Sequence, residues 1–253
     1  MDIKLSNQRV EKIIDFIDKL NLERKYKKKL ISGDMKNLLC INEALTHSSA
    51  QSQINYEKLE FLGDAVLRLI ASDFIKNKYP KMQVGERSKL RSELVSDKWL
   101  EQVGEQINIR NLLIIGPKTL RDQSAKGTIQ AEATEALIGA LYEILNILDP
   151  IRNWLIPFWE ETSKEVLADP HRKNYKSALQ EWSQSKGLST PSYQTTERYK
   201  QHGHPKRFFC TIHIKDHLLA EGSGGAIKAA EKDAAKNALV LLESQRFTLQ
   251  FMN

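Results

Sequence analysis

The sequence has few cysteines and no long apolar run. Its two cysteines, Cys40 and Cys210, lie far apart, and neither shares a C-x-x-C spacing with the other or with a histidine. A disulfide framework and a zinc site are therefore not supported. No apolar run approaches the roughly 20 residues that span a bilayer, and the start, MDIKLSNQRVEKIIDF, has no basic segment followed by an apolar stretch. We therefore expect a cytoplasmic protein with no membrane partner.

Internal repeats and low-complexity segments are also missing, and positive charge is unevenly distributed. The 253 residues, 41% of them apolar, are sufficient for one large or two ordinary domains with packed cores. From residue 169 onward there are 13 lysines and arginines against 8 aspartates and glutamates, while residues 1–168 carry 25 against 24. A basic C-terminal third indicates a polyanionic partner, and nucleic acid is one candidate.

Two periodicities divide the chain into two predicted domains. Apolar residues recur at helical spacing through the first 165 residues, as in Ile13, Ile17 and Leu20, so this part is predicted to be all-helical. After the polar segment ADPHRKNYK, the pattern predicts a short helix, three strands and an Ala-rich helix. The predicted fold class is therefore α+β and multidomain. The expected boundaries are a helical domain at 1–167, a linker at 168–174, an α-β-β-β-α domain at 175–246 and a tail at 247–253.

One apolar helical segment carries three carboxylates on one face. In YEKLEFLGDAVLRLI, Glu57, Glu60 and Asp64 lie at i, i+3 and i+7. A solvated acidic face is the simplest interpretation. However, apolar residues fill most of the remaining helix surface, and Gly63 lies mid-helix at a cost of roughly 1 kcal/mol relative to alanine. The glycine indicates that another backbone or a ligand approaches closely.

A second segment, QAEATEALIGALYEIL, has the same combination of acids and glycine. Glu132 and Glu135 are one turn apart, and Gly139 lies within the helix. Considered alone, the two acids fit a first helical turn, where they complement the helix dipole. If the two glycine-bearing helices pack together, four carboxylates meet in a partly buried pocket, where each must be protonated or bind a cation. Mg²⁺ suits such oxygens, and acidic clusters of this kind support phosphodiester hydrolysis. The four are Glu60, Asp64, Glu132 and Glu135.

Three motifs resemble those of the ribonuclease III family. YEKLEFLGDAVL resembles the family signature E-x-L-E-F-L-G-D, LTHSS resembles the segment that precedes it, and AEATEALIGALY resembles the second acidic motif. The resemblance extends from about Asn7 to Leu242. It implies an all-α endonuclease domain that hydrolyses double-stranded RNA with Mg²⁺, or with Mn²⁺ as a substitute. It also implies a homodimer whose two sites face a shared cleft.

The resemblance assigns roles to individual residues. Glu60 and Asp64 correspond to metal ligands of the first motif and Glu135 to the ligand of the second, with Asp64 and Glu135 as the catalytic pair. Glu57 corresponds to a further acid along the cleft. Phe61 corresponds to an aromatic position at the dimer contact, although an ordinary core position fits it equally well.

Two positions depart from the family pattern. The family usually has aspartate where this chain has Glu132. Glutamate keeps the charge and both oxygens but adds one methylene, so we expect Glu132 to be a metal ligand with altered reach. The family also often has an acid just before the glycine of QVGERSKLR, where this chain has Val84. Glu86 is a nearby acid, and we do not assign it that role.

The C-terminal domain carries a basic ridge. A glycine-rich turn precedes a helix with Lys228, Lys232 and Lys236 at i, i+4 and i+8, and both the helix N-terminus and the lysines suit phosphates. A solvated lysine face is the simplest alternative. A nucleotide phosphate loop is disfavoured because GSGGAIK lacks the G-K-[ST] ending, so we expect no nucleotide cofactor.

The order of these C-terminal elements resembles a double-stranded RNA-binding domain, which reads the shape of A-form RNA across two minor grooves. The resemblance implies that Gln180 and Glu181 face one minor groove and that His204 lies in the loop that reaches the second. It implies that Lys228 and Lys232 contact phosphates.

Two features of this domain depart from the usual pattern. Ile227 stands where a lysine is common, and the usual Gly-Pro pair before His204 is missing, so we expect weaker binding than is typical. Duplex RNA offers no splayed bases for stacking, so three aromatic residues are expected in the core instead. They are Trp182, Tyr193 and Phe208.

The leading interpretation is an endoribonuclease that makes staggered cuts in double-stranded RNA and leaves 5′-phosphate and 3′-hydroxyl ends. Precursor ribosomal RNA and structured messenger RNA are the expected substrates. The alternative is a catalytically weak or inactive RNA-binding protein that retains the fold, and Glu132 is the residue that supports it. A scaffold that binds only proteins leaves the basic ridge unexplained.

Overall fold

The computed structural model describes residues 5–32, 35–50, 52, 54–169, 174–201, 203–215 and 217–243. The chain divides into two compact units, Met1–Val166 and Leu167–Asn253. The expected linker at 168–174 lies largely outside the described residues, since 170–173 are not among them. The same holds for the expected tail at 247–253 and for residues 244–246 of the second domain.

The first unit is helical, as the sequence predicts. Two short 3₁₀ turns, Ser48–Ala50 and Ile109–Leu112, join the longer elements. In the part of this unit that the structure describes, β-type pairing is limited to one bridge between Thr46 and Ile114. Its α-helices are α1 (Asn7–Lys19), α2 (Arg24–Ser32), α3 (Met35–Ala44), α4 (Glu57–Lys78), α5 (Val84–Leu94), α6 (Asp97–Gln106), α7 (Pro117–Leu120), α8 (Lys126–Leu145) and α9 (Asp149–Ala168).

Local sequence signals set the ends and faces of these helices. The Ser6 side chain caps α1 by accepting a hydrogen bond from the backbone N–H of Arg9 at 3.2 Å. Ser96 caps α6 in the same way through the N–H of Trp99 at 3.3 Å. Within α1, the buried residues recur at helical spacing. The predicted apolar stripe therefore corresponds to the face that packs in the core.

Helices α4 and α8 cross so closely that their backbones touch. A methyl group added at Gly63 would lie 1.9 Å from the carbonyl oxygen of Glu135, and one added at Gly139 would lie 2.0 Å from the carbonyl oxygen of Leu59. Only glycine leaves room for this approach. The sequence-based expectation that another backbone approaches Gly63 is confirmed, and the partner is the second glycine-bearing helix.

One side of α4 is exposed, which the sequence analysis did not anticipate. Phe61 is 81% exposed and Leu69 is 57% exposed, and Ala65 between them is exposed as well. The expectation that apolar residues leave little of this helix for water is therefore wrong for this side. These three residues, spaced four apart, form what we call the α4 stripe.

A short segment before α4 is fixed by backbone hydrogen bonds. The N–H of Tyr56 donates to the carbonyl oxygen of Thr46 at 2.9 Å, and the N–H of His47 donates to that of Ile114 at 2.9 Å. The N–H of Gly116 donates to the Ser49 hydroxyl at 3.0 Å. The LTHSS motif is consequently held beside the first turn of α4.

The second unit has the predicted order of one helix, three strands and one helix. The strands form an antiparallel sheet in the order β1-β2-β3, with Cys210 of β2 opposite Thr195 of β1 and Gly222 of β3. Its elements are α10 (Tyr175–Ser185), β1 (Ser192–Glu197), β2 (Phe208–Ile214), β3 (His217–Gly224) and α11 (Ile227–Glu243). The predicted α-β-β-β-α arrangement is confirmed.

Helix α11 packs tightly on this sheet. A methyl group at Gly222 would lie 2.1 Å from the backbone nitrogen of Ala234, so glycine and alanine together allow close contact between strand and helix. The three aromatic residues that were expected in the core are partly buried, and they pack against the buried apolar core of this unit. They are Trp182, Tyr193 and Phe208.

Among the described residues, no helix combines the length and the apolar character that crossing a membrane requires.

Gly63→Ala is expected to destabilise the first unit, because the added methyl group overlaps the carbonyl oxygen of Glu135. Overpacking of this kind costs about 1–3 kcal/mol, and contact with backbone rather than a flexible side chain favours the upper end. The control is Gly85→Ala, whose methyl group meets nothing within 4 Å. We expect the control to be neutral or stabilising. Thermal unfolding followed by tryptophan fluorescence measures both, and equal unfolding temperatures for Gly63→Ala and wild type would contradict the crossing.

Candidate functional site

Five carboxylates line one open pocket of the first unit, with a volume of about 600 Å³. Glu57, Glu60 and Asp64 come from α4, while Glu132 and Glu135 come from α8. The structure therefore brings together the four acids that the sequence analysis grouped, with Glu57 beside them. The other residues that line the pocket are His47, Ser48, Tyr56 and Phe61.

The glycine crossing places these acids. Asp64 directly follows Gly63, and the backbone carbonyl of Glu135 is the group that Gly63 contacts. Both carboxylates therefore originate at the point where the helices touch. Glu60 and Glu132 lie about one turn earlier on their helices and extend the cluster.

Burial and the negative charge of neighbouring acids raise the pKa values of two of these acids, Glu60 and Glu135. Burial is the main cause that raises the pKa of Glu135 from 4.5 to about 8, followed by the negative charges of Asp64 and Glu60. Burial, and then the charges of neighbouring acids on both helices, also raises the pKa of Glu60. Both shifts favour the protonated form of Glu60 and Glu135, and a bound cation would favour their charged form.

Two of the acids have specific partners. The Nε–H of Arg68 is shared between the two carboxylate oxygens of Asp64, at 2.7 and 2.9 Å, and the Glu132 carboxylate accepts a hydrogen bond from the Tyr56 hydroxyl. Across the described ranges, no three His, Cys, Asp or Glu side chains are arranged around a common point that would hold a metal ion. The carboxylates share a pocket without forming a ready coordination sphere.

The donor chemistry nevertheless fits a hard divalent cation. The pocket offers oxygen atoms from five carboxylates and no thiolate, a set that suits Mg²⁺ or Mn²⁺ better than soft metals. Ligation by Asp64 requires that it exchange Arg68 for the ion. An exposed pair at i, i+4 contributes only about 0.3–0.5 kcal/mol, so this contact is a weak competitor.

Tyr56 is a site residue that the sequence analysis missed. It is 2% exposed, and its ring meets the edge of His47 with centroids 5.4 Å apart. Burial, followed by the hydrogen bond and charge of Glu132, raises the pKa of Tyr56 well above its usual value, which keeps the hydroxyl protonated. The available signal was its place directly before the first acidic motif, since a buried tyrosine hydroxyl usually has a partner.

His47 and Arg68 were also missed. The backbone N–H of Ser49 donates to Nδ1 of His47 at 2.9 Å, so the proton of the neutral ring lies on Nε2. Arg68 lies four residues after Asp64, a spacing that predicts an ion pair on a helix. Both signals were present in the sequence, within LTHSS and within YEKLEFLGDAVLRLI.

Phe61 lies at the rim of the pocket and belongs to the exposed α4 stripe. The structure excludes the core alternative for this residue. Val84 of α5, the position where an acid is common in the resembling family, is 78% exposed. The carboxylate of Glu86 caps the start of α5, where it accepts a hydrogen bond from the N–H of Gln83 at 3.0 Å.

The predicted RNA-contacting residues lie on three elements of the second unit. Gln180 and Glu181 are exposed on α10, Lys228 is exposed on α11, and Lys232 is half-buried there. A methyl group at Gly225, just before α11, would lie 3.5 Å from the carbonyl oxygen of His204. The loop of His204 and the start of α11 are therefore neighbours. The third element, α10, is linked to α11 by an ion pair between Lys176 and Glu231 at 2.7 Å.

The loop between β1 and β2 has an ordered base around His204. The N–H groups of Arg198 and Tyr199 both reach the carbonyl oxygen of Arg207, at 2.8 and 3.3 Å. The rings of Tyr199 and His204 are 4.2 Å apart at 32°. The N–H of Lys206 donates to Nδ1 of His204 at 3.2 Å, so in the neutral ring the proton lies on Nε2. Stacking of the His204 ring on Tyr199 stabilises a loop that lacks the usual Gly-Pro pair.

Comparisons with known proteins agree on both units. Residues 37–144 match a family model described as Ribonuclease-III-like, and residues 175–242 match one described as Double-stranded RNA binding motif. A Ribonuclease 3 from Prochlorococcus marinus is 51% identical over 235 residues, which are 93% of this chain and 94% of that protein. Proteins named Ribonuclease 3 2 from Nostoc and Synechocystis are each 38% identical, over 79% and 78% of this chain and 82% and 81% of their own lengths.

Without divalent cations, the free energy of unfolding is expected to fall as the pH rises from about 4.5 to about 8. In this range folded Glu135 keeps a proton that the unfolded chain releases, so rising pH favours unfolding. Glu135→Gln stays neutral and is expected to flatten this dependence and to exceed wild type in stability at pH 8.

Denaturant unfolding at pH 5 and pH 8 in the presence of a chelator measures the effect. Glu11→Gln, which removes an exposed acid of α1, is the control for a simple loss of charge. Equal pH dependence in wild type and Glu135→Gln would contradict the raised pKa.

Proposed function

Because the chain belongs to the ribonuclease III family and is an endoribonuclease of double-stranded RNA, we propose that the acidic pocket is its Mg²⁺-dependent catalytic site. The observation that carries this proposal is the meeting of carboxylates from α4 and α8 in one pocket. Glu57 is a further acid along the cleft. The ligands that we assign to the ion are Glu60, Asp64, Glu132 and Glu135.

We assign Asp64 and Glu135 as the catalytic pair because they match the acids of the two family motifs, and both originate at the contact between the two helices. When bound, a divalent ion lowers the pKa of a bound water and stabilises the leaving oxygen of a phosphodiester. The carboxylates supply the negative charge that retains the ion, and the raised pKa of Glu135 means that binding is favoured at neutral to alkaline pH. Mn²⁺ prefers similar oxygen ligands and serves as a substitute. The products carry 5′-phosphate and 3′-hydroxyl ends.

The protein acts as a homodimer, with the α4 stripe at its contact. An exposed phenylalanine and leucine, eight residues apart on one helix with an exposed alanine midway, form an apolar surface of the kind that mediates association. A twofold dimer uses the same patch on both copies. Phe61 also lines the acidic pocket, so this contact would bring the two pockets to one cleft and allow staggered cuts in opposite strands.

The second unit binds the RNA duplex through groove and phosphate contacts. Gln180 and Glu181 reach one minor groove, and His204 presents its Nε2–H donor to the next. Lys228 and Lys232 contact phosphates near the start of α11. The neighbouring positions of the His204 loop and the start of α11 support this arrangement.

The wider biological assignment follows from the activity. We propose that the protein acts in the cytoplasm on precursor ribosomal RNA and structured messenger RNA. We also propose that the endonuclease domain is 1–167 and the RNA-binding domain 175–246, joined by a linker at 168–174.

Incubation of the purified chain with long duplex RNA and Mg²⁺ tests the catalytic assignment. We expect cleavage by wild type and a loss of about 100-fold or more in Glu135→Gln, because a neutral amide weakens retention of the ion. Glu11→Gln is the charge-matched control and is expected to cleave like wild type. Binding of RNA by wild type without cleavage would contradict the proposal and support an inactive RNA-binding protein.

Mixed dimers make the same assay a test of the dimer. Wild-type and Glu135→Gln protomers are mixed, and each mixed dimer is expected to cut one strand and leave nicked duplexes. If mixing yields only uncut RNA and doubly cut RNA, the two sites do not act as a pair.

Lys228→Ala is expected to weaken duplex RNA binding and to make it less dependent on salt. Loss of one phosphate contact makes the slope of log affinity against log salt concentration shallower by about 0.9. Lys215→Asn is the matched control: it removes a lysine at the opposite end of the sheet, and asparagine tolerates the positive φ of 53° there. Equal slopes for Lys228→Ala and wild type would exclude Lys228 from phosphate contact.

A further inference from the structure

The contact between Tyr56 and Glu132 joins the two acidic motifs across 76 residues of sequence. Tyr56 stands directly before α4, and its hydroxyl donates to the Oε2 atom of Glu132 on α8. A hydroxyl donor that is bonded to one carboxylate oxygen leaves the other, Oε1, for a different partner. The pocket acid that departs from the family pattern is therefore also the one that a buried tyrosine holds.

The tyrosine is itself rigidly placed. Its side chain is 2% exposed, its ring packs edge-on against His47 at 88°, and its backbone N–H is bonded to Thr46 at 2.9 Å. A side chain constrained by packing and backbone contacts can fix the orientation of a flexible partner. Glu132 is half-buried and has one more rotatable bond than aspartate, so it has more freedom to lose.

We propose that Tyr56 is a positioning residue for Glu132, which holds the longer carboxylate in the orientation that lets Oε1 ligate the divalent ion. The inference rests on the proposed function, because it assigns Glu132 as a ligand. It deepens that function by explaining how a glutamate serves at a position where the family usually has aspartate. In this role Tyr56 touches neither the ion nor the RNA and acts only through Glu132.

A purely structural role for the hydroxyl is the competing explanation. A buried phenol needs a hydrogen-bond partner, and Glu132 would then simply satisfy Tyr56. The two explanations differ in what they predict for ion affinity. A structural role changes the stability of the fold, whereas a positioning role changes affinity for the ion in a way that depends on the residue at position 132.

The experiment compares Tyr56→Phe with wild type by calorimetric titration of Mn²⁺ without RNA, together with thermal unfolding and duplex RNA cleavage. Phenylalanine keeps the ring and its contact with His47 and removes only the donor. We expect Mn²⁺ affinity and cleavage at limiting Mn²⁺ to fall about 10-fold or more, the effect typical of losing a group that orients a ligand. Tyr79→Phe is the matched control, because it removes a hydroxyl bonded to Ser163 at 2.9 Å away from the pocket. It is expected to leave Mn²⁺ affinity unchanged.

The same substitution in a Glu132→Asp variant tests whether the effect of Tyr56 depends on Glu132. In Glu132→Asp the shorter carboxylate no longer needs the tyrosine, so adding Tyr56→Phe is expected to change Mn²⁺ affinity less than twofold. Equal losses in both backgrounds, or a Tyr56→Phe affinity within twofold of wild type, would overturn the proposal while leaving the catalytic assignment intact. Absence of Mn²⁺ binding by wild type would overturn the proposal and the assigned metal site together.

Discussion

The close crossing of α4 and α8 is the constraint on which the rest of the first unit depends. Gly63 and Gly139 allow two backbones to meet, and a methyl group at either glycine would overlap a carbonyl oxygen of the other helix. The carboxylates are attached at this contact, so the distance between the motifs is set by backbone packing rather than by flexible side chains. The same crossing leaves the opposite side of α4 exposed, where Phe61 and Leu69 lie.

Placing several carboxylates at this crossing has an electrostatic cost. Partial burial and mutual repulsion raise the pKa values of Glu60 and Glu135, so the pocket without a cation is a source of instability. Two protein contacts relieve part of it: Arg68 pairs with Asp64, and Tyr56 donates to Glu132. The first is exposed and readily exchanged, whereas the second is held by a buried ring. The site therefore contains one carboxylate that can change partners and one that is fixed.

The sequence predicts the main elements of this arrangement because they are local. Helical spacing placed Glu60 and Asp64 on one face, and the mid-helix position of Gly63 indicated the close approach that the structure confirms. The alternation of apolar residues predicted the three strands of the second unit. These features follow from periods of 3.6 and 2 and from the lack of a side chain on glycine.

The remaining features depend on contacts that no local pattern encodes. Tyr56 and Glu132 meet only after folding, so spacing alone gave no reason to pair them. The exposure of Phe61 depends on which side of α4 the neighbouring helices cover, and helical periodicity fits a core position equally well. The sequence predicted Asp64 as a metal ligand but gave no indication of which protein group it contacts, and in the structure its partner is Arg68. Side-chain partners, unlike helix faces, are decided by the tertiary structure.

Glu60 and Glu135 carry raised pKa values at this crossing, and we propose that a divalent cation bound among the carboxylates relieves their repulsion. The most direct measurement is the unfolding temperature of the intact chain at pH 8 as Mg²⁺ is raised, with NaCl at matched ionic strength for comparison. A ligand that binds only the folded state stabilises it in proportion to the logarithm of its concentration above its dissociation constant. We expect the unfolding temperature to rise steadily with Mg²⁺, beyond any rise in NaCl. Identical curves in the two salts would contradict the proposal.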